Sequence, residues 1–328
     1  RLYPQPRIDD SPTTIIGFNH VGINVLDLDK MLAFYQKATG YELLERTVVA
    51  NDEAADELFG QKGISYESAI LKGPNMLLEL REFANQQDTL LKKMPPQGPG
   101  ITHTCYQSAM TASGFARFKE AGAEILTRGG APVDLGGYGV TYAYAYDPEG
   151  NMLELEQMSE RLIRLQIGTE WARQHPLWMT QVAIISPDLQ RLVAFYQRVL
   201  GIKPYRMGSY AHNPGFDKIA NLDSLAFDAA WFGMDGQGKK LELMQYVHPP
   251  TPPNPPPRAL TAPGYTFSFE VLDIQQEYER LKKLGVRFVS TPQVLGPFRT
   301  VFAYDVDGNV FALRQALQDT SIYSLQNF

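Results

Sequence analysis

His20-Val21-Gly22-Ile23-Asn24-Val25-Leu26-Asp27-Leu28, followed by Leu32-Ala33-Phe34-Tyr35-Gln36 and Gly40, returns as Gln181-Val182-Ala183-Ile184-Ile185-Ser186-Pro187-Asp188-Leu189, then Val193-Ala194-Phe195-Tyr196-Gln197 and Gly201. Positions 20 and 181, 34 and 195, and 40 and 201 are each 161 apart. Chance does not hold one offset through two elements, so the chain carries an internal repeat. Three more pairs follow in the same order. They are Leu78-Glu79-Leu80 with Leu241-Glu242-Leu243, Gly100-Ile101-Thr102 with Gly264-Tyr265-Thr266, and the Tyr146–Asn151 turn with Tyr304–Asn309.

Within one copy, the β-branched stretch 16–25 reads as a strand. Leu28, Met31, Leu32 and Tyr35 give residues 28–39 the spacing of an amphipathic helix, with Asp27 or Asp29 to cap its start and Gly40 to end it. Strands follow near 41–49, 65–72 and 75–82, so the unit is β-α-β-β-β. The second half of the copy repeats it: a strand at 101–108, a helix near 112–121, and strands near 123–127, 139–146 and 151–157. Asp147-Pro148-Glu149-Gly150 supplies the turn between the last two. Residues 159–174 read as helical, and the proline-rich stretch from Pro249 to Pro263 reads as a rigid, extended connection.

Composition narrows the partners. A chain of 328 residues suits two domains, and 44% hydrophobic with 20% charged residues is ordinary for globular proteins. A formal charge of -6 opposes attraction to nucleic acid or anionic lipid, and no apolar run approaches the ~18 residues of a membrane span. A small molecule is therefore the expected partner, with a homodimer as the one protein partner considered. Cys105 is the single cysteine, so any metal must rest on histidine and carboxylate. Cys105 itself reads as a small buried residue, not a nucleophile. A cytoplasmic location is the expectation, with a periplasmic or secreted one left open because the sequence starts at Arg1 without a methionine.

These landmarks resemble the vicinal oxygen chelate superfamily of glyoxalases, epimerases, extradiol dioxygenases and fosfomycin or bleomycin resistance proteins, over roughly residues 15–157 and 177–315. The resemblance implies an α+β fold of two tandem glyoxalase-like domains, each a pair of βαβββ units forming a curled eight-stranded mixed sheet. The implied domains are 15–157, binding metal, and 177–315, degenerate, joined by a helical linker at 158–176 and followed by a tail at 316–328. Neighbouring units are expected to pair.

Carried over residue by residue, the resemblance places metal ligands at His20, Glu79, His103 and Glu154. The same four places in the second copy hold Gln181, Glu242, Phe267 and Ala312, of which the last two coordinate nothing. Chemistry is therefore assigned to the first copy. The implied cofactor is one divalent first-row ion (Fe, Mn, Ni, Co or Zn), for which two imidazoles and two carboxylates form a suitable N/O shell. Glu79 or Glu154 would move a proton at a carbon made acidic by a metal-polarised carbonyl. Arg81, Asn24 and Tyr144, on faces shared with or beside the site, are the expected substrate contacts.

The leading expectation is thus a metal-dependent isomerase, epimerase or lyase acting on a small carbonyl or carboxylate compound. Glutathione is disfavoured as a substrate, because Gly22-Ile23-Asn24-Val25 lacks the arginine expected for it. An Fe(II) extradiol-type dioxygenase is the second reading and a metal-free small-molecule binding or resistance protein the third.

Overall fold

Asp27 accepts a hydrogen bond from the Lys30 amide (3.0 Å) and so starts the helix Leu28–Thr39, which Gly40 ends in the left-handed conformation (φ 68°). Asp188 and Gly201 do the same for Leu189–Leu200. The computed structural model describes residues 13–84, 86, 92–236 and 238–328. Within them the chain forms four consecutive units. Each opens with a long strand and a helix: Ile15–Val25 and Leu28–Thr39, Gly100–Ala109 and Gly114–Ala121, Trp178–Ile185 and Leu189–Leu200, Gly264–Val271 and Ile274–Lys283. Short helices at Glu53–Phe59 and Pro214–Ala220, absent from the sequence reading, interrupt the first and third units. Helical turns also span residues 160–174.

The units assemble into two curled mixed sheets, each with an eight-strand path and one short strand beside it. The pairing of units differs from expectation. Unit 1 pairs with unit 4 through antiparallel Ile15–Val25 and Gly264–Val271, and unit 2 pairs with unit 3 through antiparallel Gly100–Ala109 and Trp178–Ile185. Neighbouring units 1 and 2 therefore lie in different sheets, as do units 3 and 4. Buried polar pairs hold these seams. Asn19 donates to Glu270 (2.7 Å) in one, while Trp178 donates to Gln107 (2.9 Å) and Thr104 to the Gln181 carbonyl (2.6 Å) in the other.

One apolar cluster joins the two sheets. It takes Leu32 and Phe34, Phe118, Leu192 and Phe195, and Leu281 from the four unit helices, together with strand residues of both sheets such as Phe269 and Leu155. Two pseudo-equivalent hydrogen bonds tie helices to turns across it: Tyr35 Oη to Asp147 (2.6 Å) and Tyr196 Oη to Asp305 (2.9 Å). Each joins a helix of one sheet to a turn of the other. Burial lifts both aspartates to about 6, even though each also accepts from backbone and asparagine N–H groups. Tyr35→Phe is expected to lower unfolding stability by about 2 kcal/mol, read from urea titration. An unchanged midpoint would mean the bond is replaced by water without loss.

Candidate active site

The concave face of each sheet is built from its four central strands, and the register of those strands decides which side chains meet. In the sheet of units 2 and 3, Gln181 lies opposite Cys105 and Ala183 opposite His103, whereas Ile184 pairs with Ile101. Thr102 is thus an extra residue, a bulge. The other sheet has no such insertion there: His20 lies opposite Ser268 and Gly22 opposite Thr266. The spatial counterpart of His103 is therefore Thr266 and not Phe267. One residue of shift moves a side chain to the other face, and Phe267 belongs to the apolar core at 1% exposure.

Of the four expected ligands, His103 and Glu154 come together, but His20 and Glu79 stand in the other sheet. The four corresponding places in the cup of units 2 and 3 are held by His103, Glu154, Gln181 and Glu242. Gln181 and Glu242 come from the copy that the sequence reading set aside as degenerate. His103 Nε2 is 3.2 Å from Glu154 Oε2 and 3.7 Å from Glu242 Oε1. The Gln181 amide nitrogen lies 3.3 Å from His103 Nε2 and donates to Glu154 (2.8 Å) and Glu242 (3.0 Å). Ligand atoms of His103, Glu154 and Glu242 all fall within 4.8 Å of one another.

The surroundings hold this cluster in place. Trp231 Nε1 donates to Glu242 Oε2 (2.6 Å), and Thr102 Oγ1 lies 2.9 Å from His103 Nδ1, leaving Nε2 to face the carboxylates. Burial, reinforced by the negative charge of Glu154, pushes Glu242 up to about 7. Glu156 is likewise raised by burial, with the Lys240 ammonium acting against the shift; Cys105 Sγ (3.5 Å) and Gln107 (2.9 Å) donate to it. Burial raises the Cys105 thiol well above its ordinary value, in keeping with an inert residue.

The cup opens into a cavity of about 180 Å3. Glu154, Gln181 and Glu242 form its floor, with Tyr142, Tyr144, Trp231 and Tyr246 as aromatic walls and Arg206 stacked 4.2 Å above Trp231. Tyr144 does line the site, its ring 5.2 Å from that of His103. The other two expected substrate contacts do not. Asn24 donates to the carbonyls of Leu260 (3.0 Å) and Ala262 (2.9 Å), pinning the proline-rich connection. Arg81 is in the other cup, bound to Glu79.

That other cup is closed by cations. Both Glu79 oxygens are taken, Oε2 by Arg314 and Oε1 by Arg81 (Nε 3.0 Å, Nη2 2.9 Å). His20 contacts Ser268 through Nδ1, and burial lowers its pKa well below the ordinary value, keeping it neutral. With Thr266 and Ala312 completing the four places, two guanidiniums stand where a metal would need carboxylates.

Comparison with known proteins agrees with this architecture. A family model described as the Glyoxalase/Bleomycin resistance protein/Dioxygenase superfamily matches residues 17–155 and 178–313. An ethylmalonyl-CoA/methylmalonyl-CoA epimerase of Cereibacter sphaeroides is 31% identical over 143 residues, 43% of this chain and 96% of that protein. The crystal structure of glyoxalase I from Zea mays superposes with a TM-score of 0.59 at 22% identity, covering 91% of this chain and 92% of that one. A putative dioxygenase from Bacillus subtilis gives 0.60 at 12% identity, over 94% and 87%. Both structural likenesses are of fold. Among the described residues no helix is long and apolar enough to cross a membrane.

Proposed function

The chain belongs to the Glyoxalase/Bleomycin resistance protein/Dioxygenase superfamily, and from that premise we propose that it is a divalent-metal-dependent isomerase, epimerase or lyase whose active centre is the cup of units 2 and 3. The observation that carries this reading is the convergence of His103, Glu154, Gln181 and Glu242 on one point, with the last three on the floor of a cavity. The donor set fits a first-row dication: one imidazole nitrogen and two carboxylates that would neutralise it, with the Gln181 amide, whose nitrogen donates to both carboxylates, able to present its oxygen once a cation replaces those hydrogen bonds. Two carboxylates buried this close repel each other unless a cation or proton lies between them. A bound metal supplies Lewis acidity, drawing electron density from a substrate carbonyl and making the neighbouring C–H more acidic.

The chain's own residues do the rest. Glu242 and Glu154 flank the point where such a carbon would sit, so one takes the proton and either returns it to the same or to the opposite face. Trp231 fixes Glu242, and Gln181 spaces the two carboxylates. The aromatic walls exclude water and favour a substrate with a flat or apolar body, while Arg206 offers a charge for an anionic end. A ring-cleaving dioxygenase is disfavoured by the donor set, since the facial triad of such iron sites takes two histidines and one carboxylate. Here His20 lies in the other sheet. The epimerase relative acts, by its name, on acyl-CoA substrates, which makes proton transfer beside a carbonyl the reaction class to test.

The test is deuterium incorporation. Metal-loaded protein in D2O, given methylmalonyl-CoA or aromatic α-hydroxy ketones, is expected to add one mass unit at the carbon beside the carbonyl. Glu242→Gln and Glu154→Gln are each expected to slow that exchange by about 100- to 10,000-fold. Oxygen uptake with catechols and no deuterium incorporation would replace this reading with the dioxygenase one.

A further inference from the structure

We propose that the cavity of units 2 and 3 reads its substrate along a single strand, with Lys240 selecting for a carboxylate at one end and an aromatic lobe taking an apolar group at the other. The ligand class is a small acid whose carboxylate and apolar end, a ring or a branched chain, are a few carbons apart. Its middle lies at the active centre of the preceding section, on whose reading this one rests, and the recognition of the two ends is new.

Alternate residues of a strand share a face. On Lys240–His248 those lining the cavity are Lys240, Glu242, Met244 and Tyr246, in that order. Each step is about 6.6 Å, so ammonium, carboxylate, thioether and ring succeed one another over about 20 Å. Neighbouring strands repeat the gradient. The register sets Gln181 and then Cys105 beside Lys240, with Gln107 and Glu156 one step further out, whereas Ala229 and Phe227 stand beside Met244 and Tyr246.

Lys240 has donors to spare at the polar end. The ionisable groups whose charge reaches it are Glu156, Tyr205, Cys105 and Glu242, yet its ammonium makes no hydrogen bond or close ion pair among the described residues. Glu156 is already bound by Cys105 Sγ (3.5 Å) and Gln107 (2.9 Å). An ammonium with its N–H groups unspent in a cavity wall suits a carboxylate oxygen. Arg206 is the other cation here, but it is exposed at the mouth, donates to the Tyr210 hydroxyl (3.1 Å) and stacks on Trp231, so solvent attends its charge. Glu154, Glu156 and Glu242 stand against Lys240, Arg206 and the dication that their cup suits, which leaves a single positive charge for an anionic ligand to answer.

The opposite end is apolar and roofed. Phe227 stacks on Tyr246 with ring centroids 5.9 Å apart, and Phe216 meets Phe227 edge-on at 5.2 Å, with Ile219 and Leu225 beside them. Phe216 and Ile219 belong to the short helix Pro214–Ala220. Two bonds from unit 2 hold that helix over the cavity: Thr127 Oγ1 donates to the Ile219 carbonyl (3.0 Å) and the Arg128 amide to that of Lys218 (2.8 Å). At roughly 10–15 Å3 for each water-sized group, the cavity of about 180 Å3 holds a ligand of about a dozen non-hydrogen atoms or somewhat more. An acid bearing a ring on a short chain is of that size.

Isothermal titration calorimetry of the metal-loaded full chain with 4-phenylbutanoate is expected to give one saturable site. 4-Phenylbutanamide keeps the shape without the charge, and butanoate keeps the charge without the ring; each is expected to bind at least about tenfold more weakly. Lys240→Met is expected to erase the preference for acid over amide while metal content stays at the parent level, and Arg206→Met to leave that preference in place. If circular dichroism shows Lys240→Met unfolded, Lys240→Gln takes its place beside the acid and amide comparison on the parent. Equal binding of acid and amide overturns the proposal. So does an acid preference that survives loss of the Lys240 ammonium, since the metal would then be holding the carboxylate. Butanoate binding as tightly as 4-phenylbutanoate overturns the apolar end. Because the readout is binding alone, failure of deuterium exchange with these results intact would strike the chemistry of the centre and leave the recognition of its ends standing.

Discussion

Metal analysis of His20→Ala will return the same metal content as the parent, near one equivalent, whereas His103→Ala and Glu242→Ala will each bind first-row metal at least about 100-fold more weakly. The expectation follows from which sheet each residue occupies. His103 and Glu242 point at each other across the seam of units 2 and 3, 3.7 Å apart, with Glu154 beside them. His20 faces Ser268 and Glu79 in the other sheet, where Arg314 and Arg81 already occupy the carboxylate. Gln181→Ala removes a neutral donor and is expected to cost less, about tenfold. Inductively coupled plasma analysis after dialysis against chelator and reloading would measure all four. Loss of metal in His20→Ala together with His103→Ala would mean that neighbouring units pair in solution, and it would remove the basis of the proposed active centre.

Glu79→Ala is expected to be the most destabilising single change in the cup of units 1 and 4, by about 3–5 kcal/mol at pH 7. It would leave the Arg81 and Arg314 guanidiniums buried without a counter-charge. Arg314→Met is expected to cost less, because Glu79 keeps Arg81 at 2.9–3.0 Å and an apolar side chain of similar length fills the space. The effect has a pH signature. Burial alone would raise the Glu79 carboxyl, but the Arg314 and Arg81 guanidiniums hold it well below the usual carboxylate range. A carboxyl depressed in the folded state contributes stability fully above its unfolded value, near ~4.3. That contribution is lost as the pH falls below it. The difference between parent and Glu79→Ala should therefore narrow as urea titrations are moved from pH 7 to pH 3. An equal difference at both values would show that Glu79 acts through packing and not through charge.

How much of this was legible beforehand depends on the scale. The capping aspartates, the glycine helix ends and the individual strands rest on residues within about a dozen positions of each other, where backbone conformation is set by local chemistry, and the repeat is the return of those local signals 161 positions on. The short helix Glu53–Phe59 escaped notice although Asp52 accepts from the Ala55 amide at its start. Seven residues carry too little periodicity to stand out. Gln181 and Glu242 were visible as donor types at the right places of the second copy. Aligning the two copies groups them with Phe267 and Ala312, which coordinate nothing, and so hides their site.

The sequence by itself determined that the chain repeats a βαβββ unit, and its family resemblance implied curled mixed sheets with histidines and glutamates on their concave strands. Only the tertiary structure decided which units share a sheet and which residue of a strand faces the cup. The opening strands of all four units are similarly buried, so apolar patterning accommodates units 1 with 2 as readily as 1 with 4. The choice rests on particular cross-strand pairs such as Asn19 with Glu270 and Trp178 with Gln107. Facing depends on the one-residue bulge at Thr102, which changes register without changing composition. Contacts between residues 78 and 248 positions apart, Gln181 with His103 and His20 with Ser268, are set by these two choices, and with them the division of the molecule into one cup that suits a metal and one closed by arginines.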